Sequence, residues 1–405
     1  MMNRSFRSLF FTFILITHST LPQKAFIIVP VANAVGAPID AESAINDYNC
    51  MCASWGPSAE DKIICPRIHQ FLFNEQVTII REQDQQVLVE SPAAIYEDKN
   101  SNESNQYWTL KRYILPLTEL KRRNLSASYI PKSFGQETNS ANDLITITLK
   151  LPFYDDATNR TYSAGTRFIA VPHKSSFIAW IYDPSHHFFQ TVHIPDKVIA
   201  PISYEKSSDK LEAFVSLLSD WAHRPEGKVP FIWGGASLTH FYPRFQFSLK
   251  EKLSPTGKKA WYWSIHHQLY PLAGFDTSGL ILRAAQICQI PYFFKNTTTA
   301  RTHLKKVPEY ESLKKGDLLW IPGGLLVISS VRHNKIIAIA GYQFGYGALK
   351  EFKLAELFQD VWTYKELQEL MANNGTLIMK KADGSIGREI KEYEFLSLRP
   401  LLERF

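Results

Sequence analysis

The sequence predicts an α+β protein: two small β-barrels in tandem, then a larger domain that opens with a helix and continues as a sheet. Three observations carry that expectation. Short stretches of β-type alternation recur between Gln76 and Tyr182, and sustained helical periodicity first appears over residues 207–223. A polar turn, Gly274-Phe275-Asp276-Thr277-Ser278-Gly279, then feeds a second apolar-periodic helix, after which β stretches resume. At 405 residues the chain has room for two or three domains, and its charged and hydrophobic fractions are those of a globular protein.

The N-terminus reads as an export signal. Arg4 and Arg7 form a basic start, an apolar run covers Leu9 to Ile16, and Ala32-Asn33-Ala34 offers a small-residue cleavage site. A retained membrane anchor is the alternative, but Thr17, His18, Ser19 and Pro22 interrupt the run before it reaches the ~20 apolar residues of a span. The expected signal is residues 1–34, and the expected location is the periplasm or cell envelope. Its removal takes away the three cations Arg4, Arg7 and Lys24 and no acid, so the formal charge falls from +6 to +3. That balance is too mild to argue for nucleic acid, and a membrane is a partner only if the N-terminal segment is retained.

Residues 35–68 form a lead-in segment that holds Cys50, Cys52 and Cys65, whereas Cys288 sits in the helix after the central turn. In an oxidising compartment Cys65 can bridge to Cys50 or to Cys52. A zinc site would have only His69 nearby as a fourth ligand, and inert thiols are the third possibility.

The first barrel is expected over residues 69–133, with strands at 76–82, 86–90 and 107–112 and a solvated polar loop at 99–105. Tyr107 and Trp108 are expected in its core. Residues 134–142 have the composition of a linker. A second set of similar size, residues 143–205, has strands at 144–149, 165–171 and 177–182 and a turn at 155–159, which suggests a duplicated module. His186, His187 and His193 lie beside it at no spacing tied to a ligand set, so no metal is expected there.

The third domain covers residues 207–405. After its first helix come residues 229–237, an aromatic-rich insertion at 238–273, and the central helix. Two β stretches, 316–329 and 335–340, are expected to pair through a turn at His333-Asn334. The tail, 376–400, reads as a hairpin turning at Asp383-Gly384 that extends the last sheet.

Three motifs in this domain carry a family resemblance. Pro230-Phe231-Ile232-Trp233-Gly234-Gly235, then Gly274-Phe275-Asp276-Thr277-Ser278-Gly279-Leu280, then Gly316-Asp317-Leu318-Leu319-Trp320-Ile321-Pro322-Gly323 together resemble the NlpC-type cell-wall cysteine peptidases. The two β sets resemble the bacterial SH3-like domains that precede the peptidase domain in dipeptidyl members of that family. The resemblance implies a papain-like α+β domain, peptidoglycan stem peptides as substrate, and no cofactor.

It also implies four catalytic positions. The family's nucleophilic cysteine, in an Asp-Cys-Ser-Gly motif, falls on Thr277; its histidine base, in a Pro-Gly-His pattern, falls on Gly324. The group that orients the base falls on Ala338, and the tyrosine of the oxyanion side falls on Phe231. All four lack the needed group. A threonine hydroxyl is protonated at neutral pH and requires an adjacent base before it can attack a carbonyl. Trp233, Asp276 and Ser278 remain as candidate substrate-binding residues, with Gly234, Gly235, Gly279 and Asp317 as scaffold.

The expected function is thus that of an exported, non-catalytic relative that binds peptidoglycan stem peptides or an envelope protein. One alternative is an active hydrolase with a rearranged site, in which Thr277 or Ser278 is served by His240, His266 or His267 of the insertion. Another is a structural envelope protein whose cleft is filled.

Overall fold

The computed structural model describes residues 22–39, 66–98, 102–136, 144–242, 247–253, 259–265, 268–269, 273–307, 312–341 and 346–403. It is a mixed α/β architecture dominated by antiparallel sheets. The first β unit contains β1 (Gln23–Ile27), β2 (Val31–Val35), β3 (Arg67–Leu72), β4 (Gln76–Gln83), β5 (Gln86–Glu90), β6 (Tyr96–Glu97), β7 (Glu103–Ser104), β8 (Gln106–Leu110) and β9 (Ile114–Pro116), followed by the short helix α1 (Leu117–Arg122). Seven of these strands form one sheet in the order β3-β2-β8-β5-β4-β1-β9, while β6 pairs with β7. Asn74 and Asp84 turn the chain between β3, β4 and β5 at φ 66° and 51°, in the left-handed region that short polar side chains tolerate.

This sheet overturns the boundary set by the signal-like N-terminus. Residues 23–35 are not a removable leader but two strands of the sheet, with Ala25, Phe26, Ile27, Ala32 and Ala34 fully buried. The proposed cleavage site lies inside β2, where the Asn33 carbonyl accepts from Thr109 Oγ1 at 2.8 Å and its side chain accepts from Gln70 at 2.9 Å. The unit therefore begins at Gln23 rather than at residue 69, and Lys24 stays with the folded chain. Cys50, Cys52 and Cys65, and with them the bridge expected of Cys65, lie outside the described residues.

The second β unit contains β10 (Ile145–Thr148), β11 (Phe153–Asp155), β12 (Arg160–Tyr162), β13 (Arg167–His173), β14 (Ser176–Asp183) and β15 (Phe188–Pro195). Its four-stranded sheet runs β10-β13-β14-β15, with β11 and β12 as a separate pair. Ile147, Phe168, Ala179, Ile181 and Ile194 fill its core, joined by Phe26 and Phe73 from the first unit. His193 belongs to β15, opposite Ile178.

The C-terminal unit opens with α2 (Ser207–Ala222), where the Asp209 carboxylate accepts from the Lys206 amide at 3.2 Å and so ties down the first turn. In the insertion, β16 (Phe247–Leu253), β17 (Lys259–Ile265) and β18 (Gln268–Leu269) form a three-stranded sheet of their own. There follow α3 (Thr277–Ile287), α4 (Thr297–His303), β19 (Lys305–Lys306), β20 (Leu318–Ile321), β21 (Gly324–Ser330), β22 (Lys335–Ile339), β23 (Leu349–Lys353), α5 (Leu354–Leu357), α6 (Tyr364–Ala372), β24 (Leu377–Lys380), β25 (Ile386–Ile390), β26 (Glu394–Ser397) and α7 (Arg399–Leu402). The main sheet has the order β19-β26-β20-β21-β22-β23. The tail hairpin β24-β25 stands apart as a two-stranded sheet, so it does not extend the main sheet as expected; β26 does.

Two cores lie on the two faces of this sheet. On one face, Phe214, Leu218 and Trp221 of α2 and Leu280, Ile281 and Ala284 of α3 meet Leu325, Val327, Ile337 and Ile339. The same core continues into Phe71, Val77, Val89 and Tyr107 of the first β unit. On the other face, Ile321, Leu326, Ile328, Ile336 and Ala338 pack with Phe352, Leu357, Leu367 and Met379. Each fully buried side chain of this size contributes about 1.5–3 kcal/mol of transfer free energy.

Candidate functional site

Asp276 sets the geometry at the start of α3. Its Oδ1 caps the helix by accepting from the Gly279 amide at 2.5 Å and also accepts from Ser278 Oγ at 3.0 Å. Its Oδ2 accepts from Lys295 Nζ at 2.7 Å. Lys295 is enclosed, with 1% of its side chain exposed, and burial pulls its pKa below the ordinary lysine value while Asp276 pushes it back up. The helix start is held close by missing side chains: a β-carbon on Gly279 would lie 1.9 Å from the Gly235 carbonyl oxygen. That contact joins α3 to the Trp233-Gly234-Gly235 turn.

Thr277 is the first residue of α3 and half-buried, and it lines a cleft of about 1060 Å³. Its walls come from both ends of the chain: Arg81, Leu88, Tyr96 and Trp108 from the first β unit face Phe231, Trp233, Thr277 and Lys295 from the C-terminal unit. Backbone pairing fixes that meeting, because the Ile95 amide donates to Phe293 O at 2.7 Å and the Lys295 amide to Ile95 O at 2.7 Å. The Glu97 amide donates to Thr299 Oγ1 at 2.8 Å, and His303 Nε2 is hydrogen-bonded to Glu103 Oε1. Trp233, Asp276, Thr277, Ser278 and Phe231 are thus brought together.

Gly324 and Ala338 are not. A β-carbon on Gly324 would lie 2.6 Å from Ile321 Cγ1, on the face of the sheet turned away from α3, and Ala338 packs on that same face. The placement of the base on Gly324 and of its orienter on Ala338 is therefore corrected. Alternation along β21 and β22 turns Leu325, Val327, Ile337 and Ile339 toward α3 instead, and all four are apolar. Gly323, at φ 74°, lines the cleft and has open space where a side chain would start.

Among the described residues the Thr277 hydroxyl makes no hydrogen bond, and no histidine among them lines the cleft. His240 bonds Thr239 Oγ1 at 3.0 Å, and His266 and His267 lie outside the described residues. His69 does not line the cleft and is buried against the rings of Phe71 and Tyr107, at 4.9 and 5.4 Å between centroids. Ser278 is 4% exposed, and its hydroxyl already donates within the Asp276 and Lys295 carbonyl pair. Cys288 is buried, with its thiol pushed up to about 12 by desolvation. Among the described residues no group of three His, Cys, Asp or Glu side chains could hold a metal ion.

Sequence reasoning missed Lys295 and Arg67. Lys295 stands in Pro291-Tyr292-Phe293-Phe294-Lys295, where it reads as an ordinary loop lysine; only the fold sets it on Asp276, nineteen residues earlier. Arg67 lay in a segment without periodicity, yet it is wholly buried and donates from Nε to the Trp233 carbonyl at 2.8 Å.

The fold and site define a mixed α/β protein of antiparallel sheets with a cleft between an N-terminal β unit and a C-terminal α+β unit. Its structural neighbours are NlpC/P60 proteins. One is an NlpC/P60 family protein from Bacillus cereus, with 12% identity over 82% of this chain and 94% of that chain and a TM-score of 0.47. Another is an NlpC/P60 endopeptidase from Photobacterium damselae subsp. piscicida, with 10% identity over 94% of this chain and 74% of that chain and a TM-score of 0.38. A third is an NlpC protein from Trichomonas vaginalis, with 8% identity over 84% of this chain and 91% of that chain and a TM-score of 0.31. No family model and no curated protein matches the chain.

Proposed function

We propose that the chain is a non-catalytic, papain-like relative of the NlpC-type peptidases, preceded by two SH3-like units, that binds peptidoglycan stem peptides in the cell envelope. The observation that carries this is the Thr277 hydroxyl, which lies on the cleft at a helix start with no base beside it among the described residues. An alcohol at that position is not a nucleophile at neutral pH. The cleft itself supports binding: it is large enough for a short peptide, and the indole of Trp233 and the phenol of Tyr96 line it beside the charged groups of Arg81, Glu97 and Asp276. Chemistry is what has been removed from the site, while the capped helix, the glycine contact and the walls remain.

Export belongs to the same proposal, with any leader ending before Gln23, because the strands from that residue onward belong to the fold. The test is incubation of the purified protein with soluble muropeptides, with binding followed by calorimetry and products by mass spectrometry. Binding without new cleavage products is expected. Cleavage abolished by Thr277→Val would replace this proposal with an active hydrolase, and absence of binding would refute it.

A further inference from the structure

Trp233 and the residue that fixes it belong to different units of the chain. Of the exposed large apolar side chains among the described residues, Trp233 is the one that lines the cleft, with 37% of its surface accessible. It sits in a tight turn closed by the Gly235 amide donating to Ile232 O at 3.0 Å, with Gly234 at φ 66°. The turn is anchored from the first β unit.

Arg67 opens β3 and has no exposed surface. Its Nε donates to the Trp233 carbonyl at 2.8 Å, and its Nη1 reaches Asn33 Oδ1 on β2 at 3.4 Å. The pairing of β2 with β3 shifts between Ala34 and Val35, so that Val35 stands opposite Arg67 while Ala34 stands opposite His69. An irregularity of this kind re-aims a side chain, here the guanidinium. The turn also rests directly on the strand, since a β-carbon on Gly234 would lie 2.2 Å from the Arg67 carbonyl oxygen. Gln70, three residues along β3, accepts from the Ala236 amide at 3.0 Å and from Ser237 Oγ at 2.7 Å. The turn is therefore gripped at both ends by one strand of another unit.

We infer that Arg67 is a positioning residue that holds Trp233 as a flat platform for the ligand, so that the binding surface of the C-terminal unit is completed by the first β unit. The ligand chemistry that matches such a platform is a flat face of low charge, an amide plane or a sugar ring lying on the indole. This rests on the binding role proposed above, and two readouts separate the two ideas.

The first readout needs no ligand. The emission of Trp233, one of nine tryptophans, is isolated as the difference between each protein and its Trp233→Phe counterpart, and its quenching by acrylamide is measured. Arg67→Met keeps the aliphatic stem and removes the donors; Arg67→Lys keeps a cation and a donor. Quenching of Trp233 is expected to rise about twofold in Arg67→Met, with Arg67→Lys in between, because a released indole samples more solvent. The second readout is the affinity for soluble muropeptides, which is expected to fall about tenfold in Arg67→Met and in Trp233→Phe, with no further loss in the double variant.

If Arg67→Met does not fold, Arg67→Lys carries both readouts. Trp233 quenching equal to the wild type in the folded Arg67 variants overturns the inference, as do losses of affinity that simply add. If the wild-type protein binds no muropeptide, the proposed function falls, while the quenching result still decides whether Arg67 places the indole.

Discussion

Asp276 and Lys295 face each other at 2.7 Å in the wall of the cleft, and the two partners are not equivalent. The carboxylate has two further donors, the Gly279 amide and Ser278 Oγ, and keeps some contact with solvent. The ammonium has Asp276 and, at 3.5 Å, Ser278 Oγ. Removing the carboxylate strands a buried charge and uncaps α3; removing the ammonium keeps the cap and leaves a carboxylate that still has two donors and some solvent. Asp276→Ala is expected to cost about 3–5 kcal/mol and Lys295→Met clearly less, measured by urea unfolding. Equal losses would contradict this asymmetry.

His69 gives the fold an acid-sensitive point. Burial first, then the nearby Arg283 and Lys295 cations, hold its pKa well below the ordinary 6.5. The folded protein therefore keeps it neutral, whereas the unfolded chain takes up a proton near 6.5. The stability this group confers is complete above that pH and is lost as the pH falls toward the depressed folded value. The unfolding free energy should drop by up to about 1.4 kcal/mol per pH unit on its account. Chemical denaturation between pH 7 and 5 (an interval of about two units) should show a shallower slope in His69→Leu than in the wild type, whatever the offset between the two curves.

Restoring chemistry at the site requires attention to which way each position faces. Thr277→Cys with Gly324→His should cleave no stem peptide, since the new imidazole would be driven into Ile321 and Leu326 on the far face. That overpacking should cost about 1–3 kcal/mol in a thermal melt. Gly323→His should be tolerated better, costing about 1 kcal/mol, because the left-handed region admits histidine more readily than most residues and the space there is open. Mass spectrometry of muropeptides together with melting curves checks both. Cleavage by the Gly324→His pair would show that the sheet faces had been assigned the wrong way round.

The N-terminal strands make a simple truncation informative. A chain starting at residue 36 lacks β1 and β2, exposes the flanks of β4, β9, β3 and β8, and should lose cooperative unfolding followed by circular dichroism. A chain starting at residue 22 should retain it. Mass spectrometry of secreted material should find the mature N-terminus before Gln23.

Much of this was legible in the residues. β4 and β5 showed their alternation and their polar turn, and α2 and α3 showed apolar periodicity behind capping side chains, because those signals are local. β1 and β2 were hidden for a physical reason: the buried succession Ala25-Phe26-Ile27 shows no alternation, and Ala32-Asn33-Ala34, behind the basic start and the apolar run Leu9 to Ile16, matches a small-residue cleavage site. β15 was missed because Gln190, Thr191 and His193 give an edge strand a polar surface. The error at Gly324 is one of register, since a shift of a single residue along a strand exchanges its faces and no motif spacing reports which face a position takes. Lys295 and Arg67 escaped because their partners are distant in sequence.

The reach of Arg283 bears on how the chain is made. From α3 it donates to the Gln70 carbonyl at 2.8 Å and to the Ala236 carbonyl at 2.8 Å, and it forms a buried ion pair with Glu75. Glu75 and Gln70 leave the ribosome some two hundred residues before Arg283 does. At ~5–20 residues per second this is a wait of roughly 10 to 40 s. Throughout that interval Glu75 lacks its cation, and once β9 has emerged the first β unit presents to water the face later covered by α3. Newly made chains are thus most vulnerable to aggregation and to proteases during synthesis, and a chaperone that holds this face would act before the C-terminal unit arrives.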